Sequence, residues 1–167
     1  GPPIHAQTGD VLLVAADNLT ARLSAAFGAS RGNYGHVVLI DRRAGGRLQV
    51  IHADPSAHNR FGRSGVIRES WREFAERGHV TGWTLVRRGD AEPELIEAVM
   101  AQAEALLEAE TAFDFGFDRT RRDTVYCTEF IDQLFQGAEP DAEPTAPDAE
   151  YLLPGHFLQD ARFRRVA

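Results

Sequence analysis

Short apolar runs alternate with turn residues along the chain, and two longer stretches carry a helical repeat. Asp10-Val11-Leu12-Leu13-Val14-Ala15 follows Gly9 as a continuous apolar run, which predicts a buried strand. Asn18 is placed to cap a short helix bearing Leu19, Leu23, Ala26 and Phe27, with Gly28 ending it. Ala29 to Gly35 is loop chemistry. His36-Val37-Val38-Leu39-Ile40 and Leu48-Gln49-Val50-Ile51-His52 flank a turn from Arg42 to Gly46 and predict an antiparallel hairpin. Gly65 to Glu69 and Val80 to Val86 add two strands, and Ser70 caps a helical turn bearing Trp71 and Phe74.

Leu95, Ile96, Val99, Ala103, Leu106 and Leu107 recur at three- and four-residue steps, which predicts a helix from Pro93 to Glu110. A second helix begins near Asp123 or Thr124, with Cys127, Phe130, Ile131, Leu134 and Phe135 on one face. Residues 137–149 are acidic and proline-rich and read as a mobile loop. Leu152-Leu153-Pro154-Gly155 leads into a short last helix through Phe157 and Leu158, then a strand at Phe163 to Val166. Strands and helices do not alternate regularly. The expected class is therefore α+β, with a mostly antiparallel sheet.

The 167 residues allow one compact domain, read as 9–167, preceded at 1–8 by an extension or cleavage remnant. A hydrophobic fraction of 43% is enough for a buried core, and 26% charge is ordinary for a folded domain. The net charge of −7 argues against nucleic acid, whose binding draws on a basic surplus. All 18 basic residues are arginine, so chemistry needing a lysine amine is excluded, Schiff bases and P-loops among it. No apolar run spans a bilayer and no secretion signal is recognisable, so a soluble chain without stable membrane insertion is expected. A single cysteine rules out an internal disulfide.

That cysteine, Cys127, lies in the first turn of a helix, where unpaired amides and the dipole favour a thiolate. Its other reading is a buried apolar side chain. A thiol nucleophile needs an imidazole, and a third polar group to orient that ring. His36 opens a strand directly after a glycine loop, and His52 ends the next strand sixteen residues on, close to His36 if the hairpin register allows. His5, His58, His79 and His156 read as surface or structural residues.

The order Gly9-Asp10-Val11-Leu12, Gly35-His36-Val37-Val38, Val50-Ile51-His52-Ala53, Phe113-Asp114-Phe115-Gly116-Phe117, Tyr126-Cys127-Thr128-Glu129-Phe130-Ile131 and Leu153-Pro154 resembles the YiiX/YebB-like group. These are circularly permuted relatives of the NlpC-type papain-like cysteine hydrolases. The resemblance spans Gly9 to Leu158 and implies a permuted papain-like fold, a small sheet packed on helices with the cysteine at a helix N-terminus. It makes Cys127 the nucleophile and His36 the general base and acid. The group usually has glutamate at the third position, where His52 stands here; Asp54 is a second candidate for that role. Oxyanion stabilisation is expected from amides at the helix start, with Tyr126 as a possible hydroxyl donor. Glu129 is expected to orient the site or complement the dipole, and Asp114 to tie down the loop before the helix. The phenylalanines flanking Asp114 are expected in the core, as are Trp71 and Trp83.

The expected activity is cleavage of an amide bond through a thioester, with no cofactor and no metal. The substrate is a small molecule, a peptide or a lipid acyl group. The histidine–histidine–cysteine order is also similar to lecithin:retinol acyltransferase-like enzymes, which would change the substrate to a lipid ester. Two readings of other classes stand beside these: an inactive binding module on the same scaffold, and a zinc site made of the two imidazoles and the thiol. Arg119, Arg121 and Arg122 read as a solvated loop rather than an anion site.

Overall fold

A computed structural model describes residues 1–16 and 34–167. The helix expected from Asn18, and the loop up to Asn33, lie outside the described residues. The elements in chain order are β1 (Val11–Ala16), β2 (His36–Asp41), β3 (Gln49–Asp54), β4 (Gly65–Ser70), α1 (Trp71–Gly78), β5 (Val80–Arg88) and α2 (Pro93–Glu108). There follow β6 (Ala112–Phe113), β7 (Thr124–Val125), α3 (Cys127–Ala138), α4 (His156–Gln159) and β8 (Phe163–Arg165). Six strands form one sheet in the order β4-β3-β2-β1-β5-β8, and every pairing in it is antiparallel. The class is α+β, as the pattern implied.

Strand β1 lies inside the sheet and is covered on both faces, which explains its apolar run without alternation. Val11 and Leu13 join Val37, Leu39, Ile51 and Ala53 in the core shared with α2 and α3, where Cys127, Phe130, Ile131 and Leu134 are buried. Leu12, Val14, Val38, Ile40 and Val50 face the other way and pack with Phe74 of α1. The two faces of β2 therefore serve different layers. At about 25 cal/mol per Å² of apolar surface, each fully buried leucine or isoleucine contributes roughly 1.5–3 kcal/mol.

Ser70 caps α1 as expected, its hydroxyl accepting the Glu73 amide at 3.1 Å. The helix ends at His79, which takes a left-handed conformation with φ 51°. Helix α3 starts at Cys127, later than the pattern indicated, because Thr124 and Val125 pair in parallel with Ala112 and Phe113. That two-residue ribbon is too short to leave any periodicity in the sequence. Of the phenylalanines expected in the core, Phe113 is buried and Phe117 packs against the core, but Phe115 is 61% exposed. Trp71 and Trp83 pack against the Phe74 cluster.

The acidic segment after α3 is tethered. Its first two residues, Gly137 and Ala138, complete the helix. Thr145 is buried, its amide bonded to Asp132 at 2.8 Å and its hydroxyl to Asp160 at 2.7 Å. Arg119 adds hydrogen bonds to the carbonyls of Thr145, Ala146 and Ala149. Residues 1–8 also belong to the packed structure: Ala6 is buried, and the Arg42 guanidinium bonds the carbonyls of Ile4 and Ala6.

Candidate active site

The site begins with a gap in the sheet. Strands β2 and β3 pair only from Leu39 to Asp41 against Ile51 to Gln49, so residues 36–38 and 52–54 are free of each other's ladder. Strand alternation puts His36 on the same side as Val14 and Val38, the side that meets α1. There the His36 ring stacks on Phe74 at 5.9 Å, and His52 meets the same ring edge-on at 4.9 Å. Across the gap, Nε2 of His36 and Nδ1 of His52 form a hydrogen bond of 2.8 Å. Both rings are fully buried.

The chain of contacts continues outward from there. Nε2 of His52 bonds Oε2 of Glu69 at 2.6 Å. Arg77, in the last turn of α1, donates to the same carboxylate oxygen at 2.5 Å and to Asp54 at 2.9 Å. The arginine and the His52 bond hold the Glu69 carboxyl below its ordinary range in spite of burial. His52, expected at the third position, is the residue bonded to His36, and Asp54, the expected alternative, sits one step further out with Arg77, Ser56 and Asn59.

Glu69 and Arg77 were not legible as site residues. Glu69 follows Arg68 in a strand whose alternation is weak, and it pairs opposite Val50, two positions from His52. Only the register of β3 on β4 places that carboxylate behind the imidazole. Register is a property of pairing, and single-strand patterns do not determine it when both faces are covered.

In the tautomer pattern that suits a base, an ionised Glu69 accepts the Nε2–H of His52 and the neutral ring offers Nδ1 as an acceptor. His36 then donates its Nε2–H to that atom, so its own Nδ1 carries a bare lone pair. That Nδ1 is buried and has no hydrogen-bond partner among the described residues. Burial holds His36 well below the usual imidazole range, and the neighbouring His52 and Arg77 add to the effect.

Cys127 approaches from the opposite face of the sheet, at the first position of α3. Ile40 gives its amide to Asp10 of the β1 side, so alternate amides of β2, Val37 included, point toward β3. Val37 lies beyond the β2–β3 ladder, and its amide acts on the Cys127 sulfur together with the amides of Thr128 and Cys127. The thiol therefore sits against the backbone one residue from His36, at the place where the two strands part. No hydrogen bond joins the sulfur to the ring. The expectation that the helix start would give a thiolate is overturned by burial, which pushes the fully buried thiol from 9.0 up to about 12. Desolvation outweighs the three amides, so at neutral pH the pair is a neutral thiol and a neutral imidazole.

The remaining expected residues have structural surroundings. The Tyr126 hydroxyl accepts the Leu152 amide at 3.1 Å, and its ring lies 5.4 Å from that of Phe117. Asp114 accepts the amides of Gly116 and Asp118 and so ties the loop that precedes β7. Glu129 is in the first turn of α3, but burial raises its carboxyl to about 8, so it is not an ionised partner of the dipole. His156 closes a turn by accepting the Leu153 amide. The zinc arrangement expected from two imidazoles and the thiol is not assembled: the close group of ligand-type atoms among the described residues is His52, Asp54 and Glu69. Also among the described residues, no helix is long and apolar enough to cross a membrane.

No family model matches the sequence, and no characterised protein matches it significantly. The fold does have a solved counterpart, described as the crystal structure of metalloprotein YiiX from Escherichia coli O157:H7, DUF1105. The two superpose with a TM-score of 0.71 over 96% of each chain at 16% sequence identity. The chain has a YiiX-like fold.

Proposed function

We propose that the protein is a cysteine hydrolase of permuted papain-like type that cleaves an amide bond, with Cys127 as nucleophile, His36 as base and acid, and His52 with Glu69 as the orienting pair. The observation that carries this reading is the buried chain Glu69–His52–His36, which ends in an unpartnered ring nitrogen beside the strand that meets the cysteine. A buried polar atom without a partner costs about 1–3 kcal/mol, and a proton acceptor awaiting a thiol accounts for that cost.

The sulfur attacks the substrate carbonyl carbon as its proton passes to Nδ1 of His36 through the opening where β2 and β3 part. The ring returns that proton to the departing amine nitrogen, the C–N bond breaks, and a thioester remains on Cys127. Water then attacks the thioester, giving one proton to His36; the C–S bond breaks, the acid leaves, and His36 returns that proton to the Cys127 sulfur. The amides at the start of α3 and at Val37 supply donors for the carbonyl oxygen. Charge that develops on His36 is relayed through His52 to Glu69. This restores the carboxylate that the sequence lacks at position 52, one residue further out.

A metal reading, prompted by the description of the structural neighbour as a metalloprotein, does not fit these residues. The donor atoms of His52, Asp54 and Glu69 lie within 4.8 Å of one another, but the Arg77 guanidinium already bridges the two carboxylates. That position is taken by a fixed cation.

The test is mass spectrometry of the protein incubated with panels of activated amides and esters, with Cys127→Ala as control. An acyl adduct on Cys127 that forms with amides and turns over supports the reading. Adducts from long-chain esters alone would transfer the assignment to lipid acyl chemistry. No adduct with any panel would leave a binding module.

A further inference from the structure

A cleft of about 760 Å³ lies along the outer side of α3, and none of Cys127, His36 and His52 lines it. Its walls are α3 itself, the loop around 116–122 and the tethered segment 144–151. Two polar side chains one helical turn apart, Glu129 and Gln133, enter it from α3. Glu129 is only 3% exposed; the Tyr126 amide acts on its carboxyl, and no side chain among the described residues hydrogen-bonds either oxygen. Nε2 of Gln133 is likewise buried and unpartnered among the described residues. Acceptor capacity on Glu129 beyond the Tyr126 amide and a donor on Gln133 are thus left without side-chain partners in one cleft, whereas buried polar atoms are almost always paired.

The charges around them determine the kind of ligand. Asp118, Asp132 and Glu150 line the cleft, and Asp114 acts on Glu129 from the loop. Against these stand Arg119 and Arg122. Arg119 is committed to Asp132 and three backbone carbonyls. Arg122 is exposed at the edge. The balance is acidic, and Phe117 and Tyr151 contribute aromatic surface suited to a cation.

We propose that this cleft is a binding site, separate from the cysteine, for a primary amine with a carbonyl oxygen a few bonds away, as in an amino amide or a short peptide. Glu129 receives the ammonium and Gln133 donates to the carbonyl. Burial keeps the Glu129 carboxyl protonated up to about pH 8, so an ammonium must expel that proton to form the ion pair. Binding is therefore coupled to proton release and strengthens as pH rises.

Isothermal calorimetry on the full chain tests this with 4-aminobutanamide, whose amine stays charged across the range used. At pH 8.5 it binds at least about tenfold more tightly than at pH 6.5. At pH 7 close to one proton is released, read as a difference in heat between phosphate and Tris buffers. Butanamide and succinamate, which lack the amine, bind more weakly and without the pH step. Glu129→Gln removes both the pH step and the proton release, while Cys127→Ala keeps them, so failure of this site and failure of the cysteine chemistry are distinguishable. If Glu129→Gln does not fold, proton release by the wild type decides. Binding that is independent of pH, strongest for succinamate, equal for butanamide, or absent at millimolar amine overturns the proposal, as do amide shift changes located away from residues 117, 129, 133 and 151.

Discussion

Alkylation of Cys127 by iodoacetamide measures directly whether the resting thiol is ionised. Burial moves its ionisation from pH 9.0 to about 12, so below about pH 8 the thiolate is about a thousandfold scarcer than in an open chain. A more basic thiolate is intrinsically more reactive, and a Brønsted coefficient near 0.4–0.5 returns roughly 15- to 30-fold. The native protein should then react roughly 30- to 60-fold more slowly than the urea-denatured chain, before any steric protection by the closed site. The assay is the rate of adduct formation by intact-mass spectrometry between pH 6 and 10.5. The logarithm of the native rate should climb with unit slope and show no plateau, whereas the denatured chain levels off near pH 9. A native plateau below pH 8, or a native rate exceeding the denatured one at pH 7, would show a thiolate–imidazolium pair. The ranking of burial over the helix start would then be wrong.

Glu69→Ala leaves His52 and Arg77 without their shared acceptor, and urea denaturation should show a loss of about 3–5 kcal/mol. If the proposed hydrolysis is detected, Glu69→Gln should lower kcat with KM little changed, because it weakens the relay without touching substrate. Glu129 is raised from 4.5 to about 8, so the unfolded chain gives up its proton first and native stability falls as pH rises between these values. Glu129→Gln should therefore raise the melting temperature more at pH 8 than at pH 5, and an equal gain at both would contradict the shift. His36 is lowered, so its contribution is complete above pH 6.5 and is lost as pH falls and the unfolded chain takes up the proton; thermal melts between pH 7 and 4.5 should show it. Gly65 has φ 122°, and a Cβ there would run into the Thr111 carbonyl that receives the Val66 amide, so Gly65→Ala should cost about 2 kcal/mol or more in chemical denaturation.

Much of the fold was readable because its elements obey simple periods. The hairpin of β2 and β3, the strand after Gly9, the Ser70 cap and the apolar stripe of α2 each follow from residues close in sequence. The same local rules marked Cys127 as a helix-start residue and His36 and His52 as strand-borne imidazoles within reach of each other. Which side of the sheet each group occupies, and how far the strands stay paired, are properties of the packed sheet. The break in the β2–β3 ladder before Leu39, Glu69 behind His52, and the buried polar atoms of Glu129 and Gln133 along α3 appear only when distant segments meet. The charge state of the thiol was reversed for the same reason: local sequence supplies the helix amides that favour ionisation, but desolvation is set by every element packed around the sulfur.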